Sequence, residues 1–443
     1  MEIPTISAEP EHQGDVQRGA DLAASFLRDM GGTAEVHPTP RHPVVLGSLG
    51  DHPGAPTVTV YNHIDVQPAD PTEWHHPPFQ FVVEGDRYSG RGTTDDKGPA
   101  LTALFAARYC YRQDLPLNFR FLWELEEEIG SPHFDGFLQA HAFPTDSVLV
   151  SDTVWIARDQ PALPFGLRGC LQVRLLLQTG QKSTHSGTTG GVARNPIGEL
   201  CQVIDALYDA RTGEVHVPGF YDEVAPPTPE ELAGYDGCGF DLERFQQVYQ
   251  FRSVRAGDAR DAVRRLMARP TFELHGMVGG YTGPGVKTIV PHQAEAKLSM
   301  RLVPDMSAAR TLERLQSFIH RVNPDVEVVH EATLPVWSGD RHSAFYQAAA
   351  DALEAGFGRR PVLVREGCSI GAVLSMAERL RAPVVLMGLS LPEHGYHEPN
   401  ENYDWGQASG GIRAFVDYFQ RLAAMQKVSD GANPNQGKCL LAD

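Results

Sequence analysis

Carboxylates, twice joined by histidines, cluster at five places in this chain. His63-Ile64-Asp65 follows the apolar run Thr57 to Tyr61, and Asp95-Asp96 lies in a polar loop between Gly90 and Gly98. Glu126-Glu127-Glu128 and Ser151-Asp152 each end an apolar run, as does the stretch from His394 to Glu401 that contains His397. Taken singly, these have plain readings: a polar strand end, a helix N-cap, a solvated charge run. Taken together, His63, Asp95, Glu128, Asp152 and His397 make a ligand set for two divalent ions. Imidazole and carboxylate without thiolate suit Zn²⁺ in a catalytic site, with Mn²⁺ or Co²⁺ as alternatives. Residues i and i+2 of a strand point the same way, so Asp65 can support the site that His63 faces or orient its ring. The adjacent carboxylates of Asp95 and Asp96 repel unless a cation compensates them. In the Glu126–Glu128 run, one carboxylate on a metal leaves its neighbour free as a base.

The elements that must position these residues alternate between strand and helix. Residues 57–61, 118–123 and 147–150 read as strands, and 98–112 reads as a helix rich in Ala and Leu. That alternation predicts an α/β domain with a mixed, mostly parallel sheet flanked by helices, in which ligands bind beyond the C-terminal strand ends. The pattern changes near residue 165. Strands at 170–178, 272–277, 293–302 and 326–330, with helices at 195–210 and 308–322, follow the ferredoxin-like order strand–helix–strand–strand–helix–strand. This predicts an inserted α+β lid and dimerisation domain over 166–336, splitting a catalytic domain made of 1–165 and 337–443. The α/β pattern resumes with helices at 343–356, 371–380 and 405–424 and strands at 361–365 and 383–389. The crossings at 164–170 and 335–340 are natural hinges. A stretch rich in Pro, Gly and acidic residues spans 217–240, followed by short helical patches, and the tail after Val428 reads as loosely attached.

Composition narrows the partners. The chain has 443 residues, with 38 Lys+Arg against 56 Asp+Glu and a net charge of −18. Such acidity argues against nucleic acid or an anionic membrane surface as partner. Hydrophobic residues at 42% and charged residues at 21% describe a packed globular protein. No apolar run approaches the ~20 residues that span a bilayer. Six cysteines without C-x-x-C spacing do not make a disulfide scaffold, and the N-terminus lacks a signal-peptide pattern. A cytoplasmic location is expected.

The chain resembles the di-zinc exopeptidases that include cytosolic non-specific dipeptidase and carnosine dipeptidase, and the related acetylornithine deacetylase and succinyl-diaminopimelate desuccinylase. The motifs that carry the resemblance are NHIDV (62–66), GRGTTDDKG (90–98), EEIGS (127–131), SD (151–152), FGLRG (165–169), THSGTTGG (184–191), KTIVP (287–291), SMRLVPDM (299–306), REGCSI (365–370) and EHGYHEPNE (393–401). They run in the family's order, and FGLRG and THSGTTGG point to the dipeptidase branch. The resemblance implies that Asp95 bridges two metals, that His63 and Asp152 complete one, and that Glu128 and His397 complete the other. It implies Glu127 as general base towards a water shared by the metals, Asp65 as a support for His63, and a cis peptide after Asp95. It implies His185 as an oxyanion donor supplied by the partner subunit of a homodimer formed through the inserted domain. Arg301 would bind the substrate's C-terminal carboxylate, assisted by Thr288 and Ser369. Glu366 would meet the α-ammonium, and Asn195 is a substrate-side candidate that could equally cap the helix beginning at Pro196.

Two departures stand out. The family usually carries a helix before the segment that here reads Ile3-Pro4-Thr5-Ile6-Ser7, and it often has a small residue where Cys368 stands. Dipeptide hydrolysis is the expected activity, with N-acyl-amino-acid deacylation as the alternative. A peptide-binding protein without catalysis is disfavoured by the presence of both Glu127 and His185.

Overall fold

The computed structural model describes residues 1–425, so the tail beyond Val428 lies outside the described residues. A six-stranded sheet runs in the order Thr33–His37, Val44–Leu49, Asn118–Glu124, Thr57–His63, Ser147–Val150, Val384–Leu386. The first two pairings are antiparallel and the last three parallel, the mixed, mostly parallel sheet that the pattern predicts. Thr57–His63 is central and buried from Val58 onward. Both its faces are covered, which is why it reads as a continuous apolar run rather than an alternating one.

The two faces feed different cores. Val58, Val60, Phe119 and Phe121 pack with helices Gln13–Asp29, Lys97–Arg112, Ala344–Phe357 and Trp405–Ala424. Tyr61, Leu122, Val148 and Val150 pack with helices Phe134–Ala140 and Gly371–Leu380. Register aligns His63 with Glu124 and Tyr61 with Val150. The three parallel strands therefore end together. The polar residues at their exits emerge on one edge of the sheet.

The helix Gln13–Asp29 and the strands Thr33–His37 and Val44–Leu49 were not among the elements legible from periodicity. The buried stripe of that helix is Val16, Ala20, Ala23, Ala24 and Leu27, which falls at helical spacing but with alanine at most positions in place of bulkier apolar side chains. The segment before it runs beside the central strand's exit. Thr5 Oγ1 donates to the Ile64 carbonyl at 2.5 Å, and Ile6 bridges to Val66.

A second sheet has the order Glu273–Gly279, Gln293–Leu302, Gly169–Gln178, Glu327–Leu334, all neighbours antiparallel. Helices Pro196–Leu207 and Ala308–Val322 cover one face, with Leu200, Val203, Leu315 and Ile319 in its own core. This is the split strand–helix–strand arrangement expected of the inserted unit. Its two chain crossings lie side by side, Gly166 and Leu167 pairing antiparallel with Ser338 and Trp337. The helices Pro229–Gly237, Leu242–Val248 and Ala259–Ala268 form from the acidic, Pro-rich stretch and the residues just C-terminal to it. Each begins on a side-chain cap, from Thr228, Asp241 or Asp258. Tyr235, Cys238, Val263 and Met267 join the core of the first sheet rather than that of the second. Glu231, buried, accepts from Arg365 Nε at 2.9 Å and Nη2 at 2.6 Å. Part of the inserted sequence is thus anchored on the α/β unit.

Close packing at the sheet's functional edge is testable at Gly388. A Cβ there would lie 2.0 Å from the Thr153 carbonyl oxygen, beside Asp152. Gly388→Ala should cost about 1–3 kcal/mol by overpacking. Thermal unfolding should show a melting temperature lowered by several degrees, and an unchanged Tm would refute the close approach.

Candidate metal centre and active site

His63 leaves its strand with its ring 1% exposed. Nδ1 lies 3.1 Å from the Asp65 carbonyl oxygen and 3.5 Å from Asp65 Oδ1. Both oxygens are acceptors, so Nδ1 carries a proton and Nε2 is the nitrogen turned towards the carboxylate cluster. That Nε2 is 2.8 Å from Asp95 Oδ1 and 3.8 Å from Asp152 Oδ2. Asp95 turns its other oxygen to His397, whose Nε2 is 2.9 Å from Asp95 Oδ2 and 3.1 Å from Glu128 Oε2. Asp95 therefore stands between two imidazoles with one oxygen towards each. Asp152 lies beyond His63, and Glu128 beyond His397. The Asp95–Asp96 peptide is cis.

Asp65, fully buried, accepts from the backbone N–H of Glu127 at 3.3 Å and of Glu128 at 3.1 Å. One carboxylate thus holds both the His63 ring and the turn that carries Glu127 and Glu128. Glu127 itself is half-buried, and among the described residues its carboxylate has no hydrogen bond or ion pair. Burial first, then the charges of Asp152, Glu128 and Asp65, push its carboxyl well above the usual range, against the pull of His63.

These residues fit divalent cations. Among the described residues no lysine or arginine comes within 4.0 Å of the carboxylates of Asp65, Asp95, Glu127, Glu128 or Asp152. Among the described residues Asp96 Oδ1 is buried without a hydrogen-bond donor. Against the effect of burial, Asp95 and Glu128 push His397 up to about 11, so the cluster draws positive charge into itself. Zn²⁺ donors at ~2.0–2.1 Å and tetrahedral angles lie about 3.3 Å apart, a value that the spacings here straddle. Two groupings can hold an ion: His63, Asp95 and Glu128, and His63, Asp96 and Asp152. Asp96 was not in the ligand set read from sequence. It is fully buried and accepts from Asn62 Nδ2 at 2.7 Å.

Other contributors carried no sequence signal of their role. Gln67 Nε2 donates to Glu128 Oε2 at 2.7 Å, and the Tyr396 hydroxyl donates to Asp152 Oδ1. Glu401 is fully buried and accepts from Arg91 Nη1 and Gly92 N at 2.9 Å, Thr94 N at 2.8 Å and Asp95 N at 3.1 Å. It binds the loop of Asp95 to the loop of His397. Its position at the end of EHGYHEPNE does not announce that clamp, because its partners lie about three hundred residues earlier.

The remaining candidates fall in two groups. Arg301 Nη1 donates to Ser369 Oγ at 2.9 Å, joining the inserted sheet to the α/β unit. Glu366 Oε1 accepts from Gly367 N at 2.9 Å, and burial raises its carboxyl to about 6. Cys368 lies exposed between them. His185 and Thr288 sit elsewhere, on a small ribbon where Thr184 and His185 pair with Val290 and Ile289. Both are exposed, and no hydrogen bond joins His185 to the cluster of its own chain among the described residues. His185 Nδ1 accepts from Gly187 N at 3.0 Å, so Nε2 carries the proton and faces outward as a free donor. Asn195 caps its helix, Oδ1 accepting from Ile197 N and Gly198 N.

Fold and site together define a class: an α/β protein with a carboxylate–imidazole centre for divalent cations at its strand ends and an inserted ferredoxin-like domain. The profile of peptidase family M20/M25/M40 matches residues 59–421, and the chain belongs to that family. It is 29% identical to the Beta-Ala-His dipeptidase of Homo sapiens, over 96% of this chain and 88% of that one. It is 30% identical to the Cys-Gly metallodipeptidase dug1 of Schizosaccharomyces pombe, over 96% and 94%. The structure of human carnosine dipeptidase 1 superposes with a TM-score of 0.86 at 28% identity, covering 96% of this chain and 94% of that one. The M20 family metallo-carboxypeptidase Sso-CP2 of Sulfolobus solfataricus gives 0.87 at 28% identity, covering 96% and 97%. Among the described residues no helix is long and apolar enough to cross a membrane.

Ligand binding to the folded state alone raises stability, by about 2.7 kcal/mol at a hundred times Kd. Zn²⁺ added to chelator-treated protein should raise its Tm. Glu401→Gln puts an amide donor against backbone N–H groups, and a hydrogen bond to a charged group contributes about 1.5–3 kcal/mol. In that variant the same Tm rise should need at least about tenfold more Zn²⁺. An unchanged Zn²⁺ midpoint would show that Glu401 does not set Asp95.

Proposed function

We propose that the protein is a dimeric two-metal dipeptidase that hydrolyses short peptides with free ends, with Zn²⁺ as its preferred ion. The observation that carries this reading is Glu127, a half-buried carboxylate without a partner, held beside the ligand set by its own backbone and pushed towards protonation. A general base needs that combination: proximity, freedom from other duties and a raised proton affinity. The relatives named for Beta-Ala-His and Cys-Gly dipeptide cleavage support the substrate class.

His63, Asp95 and Asp152 would hold one ion, and Asp95, Glu128 and His397 the other, with Asp96 available to the first. The ions supply a lowered water pKa and polarisation of the peptide carbonyl. Asp65 keeps His63 turned with Nε2 inward. Glu127 takes the proton of the attacking water and delivers it to the leaving amine nitrogen. Arg301, with Ser369, receives the C-terminal carboxylate, where a guanidinium forks onto two oxygens, and Thr288, on the ribbon with His185, assists from the partner subunit. Glu366 receives the α-ammonium. His185 offers its outward Nε2–H to the developing oxyanion of the partner's substrate. Asn195 lies near that same ribbon in sequence, but its amide oxygen is engaged as a helix cap.

The dimer proposal has support in the inserted unit. Its edge strand Glu273–Gly279 has one neighbour, and Val278 is 56% exposed, Val286 93% and Val192 91%. An unpaired edge flanked by exposed apolar side chains is a pairing surface. The proposed division is 1–165 with 337–443 against 166–336, with helices 229–268 of the insertion travelling with the first unit.

Glu127→Ala should retain both metals by elemental analysis and lose turnover by about 10²- to 10⁴-fold. Near-normal hydrolysis would remove Glu127 as the base. A panel of dipeptides against acetyl- and succinyl-amino acids should show turnover of the dipeptides, and the reverse preference would make the protein a deacylase.

His185→Ala and Glu127→Ala homodimers should each be nearly inactive, while mixed dimers should regain activity at the site that has both groups. Mixed dimers as inactive as the parents would exclude action in trans.

A further inference from the structure

We infer that Arg168 and Arg301 form a two-arginine anion site that selects dipeptides whose C-terminal residue has an acidic side chain. The inference rests on the proposed dipeptidase reading and adds a substrate class to it. Arg168 has no role in the site as read from the sequence.

A cavity of about 1210 Å³ opens between the inserted sheet and the helices Leu242–Val248 and Ala259–Ala268. This exceeds the ~300–1,000 Å³ usual for small-molecule sites. Its lining carries five arginines against the carboxylates of Glu214 and Glu273, in a protein whose net charge is −18. Three of the five have carboxylate partners. Arg255 lies 3.7 Å from Glu273 Oε1, and Arg265 and Arg269 lie 2.8 and 3.8 Å from Asp261. Among the described residues Arg168 and Arg301 have none within 4.0 Å.

Neutral groups of one turn hold these two side chains. Arg168 Nε donates to the Gly367 carbonyl at 2.9 Å, and Arg301 Nη1 donates to Ser369 Oγ at 2.9 Å. The Ser369 hydroxyl in turn donates to the Arg168 carbonyl. Arg168 is 8% exposed, and its Nη1 is buried without a partner. Burial, and the nearby charge of Arg301, bring Arg168 down to about 10 against the more distant pull of Glu366 and Glu273. Gly367 leaves it room, since a Cβ there would stand 3.2 Å from Arg168 Nη2.

A fork from Arg301 suffices for one carboxylate. A buried guanidinium with an idle N–H group needs a counter-ion of its own. With the main-chain carboxylate on Arg301, the remaining anionic group that a dipeptide can offer to Arg168 is the side-chain carboxylate of the same C-terminal residue. The cavity beyond has space for it and a positive lining.

Alanyl-glutamate and alanyl-glutamine differ in little but charge, so the Zn²⁺-loaded dimer tests the point directly. The wild type should favour alanyl-glutamate by at least about tenfold in kcat/KM, mostly through KM. Arg168→Met should bring that ratio close to one, and Arg168→Lys should restore part of it. If Arg168→Met does not fold, Gly367→Ala, which crowds Nη2, should reduce the ratio instead. A wild-type ratio near one means that both arginines serve a single carboxylate and overturns the inference, as does a ratio that survives Arg168→Met. Hydrolysis of alanyl-alanine in those cases leaves the dipeptidase reading standing. No hydrolysis of any of the three peptides would sink both.

Discussion

Negative charge buried at the ends of parallel strands is the constraint on which the rest of this structure depends. Asp65, Asp95, Asp96 and Asp152 are all at most 6% exposed, with Glu127 and Glu128 beside them. Uncompensated, such a group of carboxylates would open the sheet edge. Among the described residues no lysine or arginine neutralises them. The imidazole Nε2 atoms of His63 and His397 are turned towards the same space instead. What the fold leaves to be supplied there is cationic charge, and the chemistry of the family comes from the effect of divalent ions on water and carbonyl groups.

Holding that arrangement requires two levels of support. Backbone N–H groups satisfy the carboxylates that do not face the ions. Asp65 takes those of Glu127 and Glu128, and Glu401 takes those of Gly92, Thr94 and Asp95. Each such carboxylate ties together loops that are far apart in sequence. The inserted unit then meets the α/β unit at two places. Its sheet reaches the α/β unit through Arg301 and Ser369, while its helices 229–268 are fixed to the α/β core through Glu231 and Arg365. A lid motion would therefore carry the sheet past helices that stay behind.

Legibility from sequence tracked the strength of local patterning. Central strands came through because burial on both faces makes apolar runs, and helices 308–322, 371–380 and 405–424 because their apolar spacing is regular. The Gln13–Asp29 helix did not, although its buried Val16, Ala20, Ala23, Ala24 and Leu27 also fall at helical spacing. The helices of the acidic stretch begin on local caps, and their packing partners are set by tertiary contacts rather than by their own periodicity. His63, Asp95, Glu128, Asp152 and His397 were picked out by residue type and position, and the fold brings them together. Asp96 was visible as a neighbour but not as a candidate ligand, since its orientation depends on Asn62 and the loop around it.

Residue types alone pointed to the chemistry: imidazole and carboxylate without thiolate, adjacent glutamates at a strand end, and an order of motifs that belongs to one family. Those properties are local, because donor atoms and proton affinities come with the side chains. Which carboxylate faces an ion, which only braces a loop, and which arginine lacks a partner were decided by tertiary structure. Those outcomes depend on distances between segments hundreds of residues apart. Burial then changes the proton affinity of Glu127 and the need of Arg168 for a counter-ion, and burial is a property of the packed chain rather than of either residue.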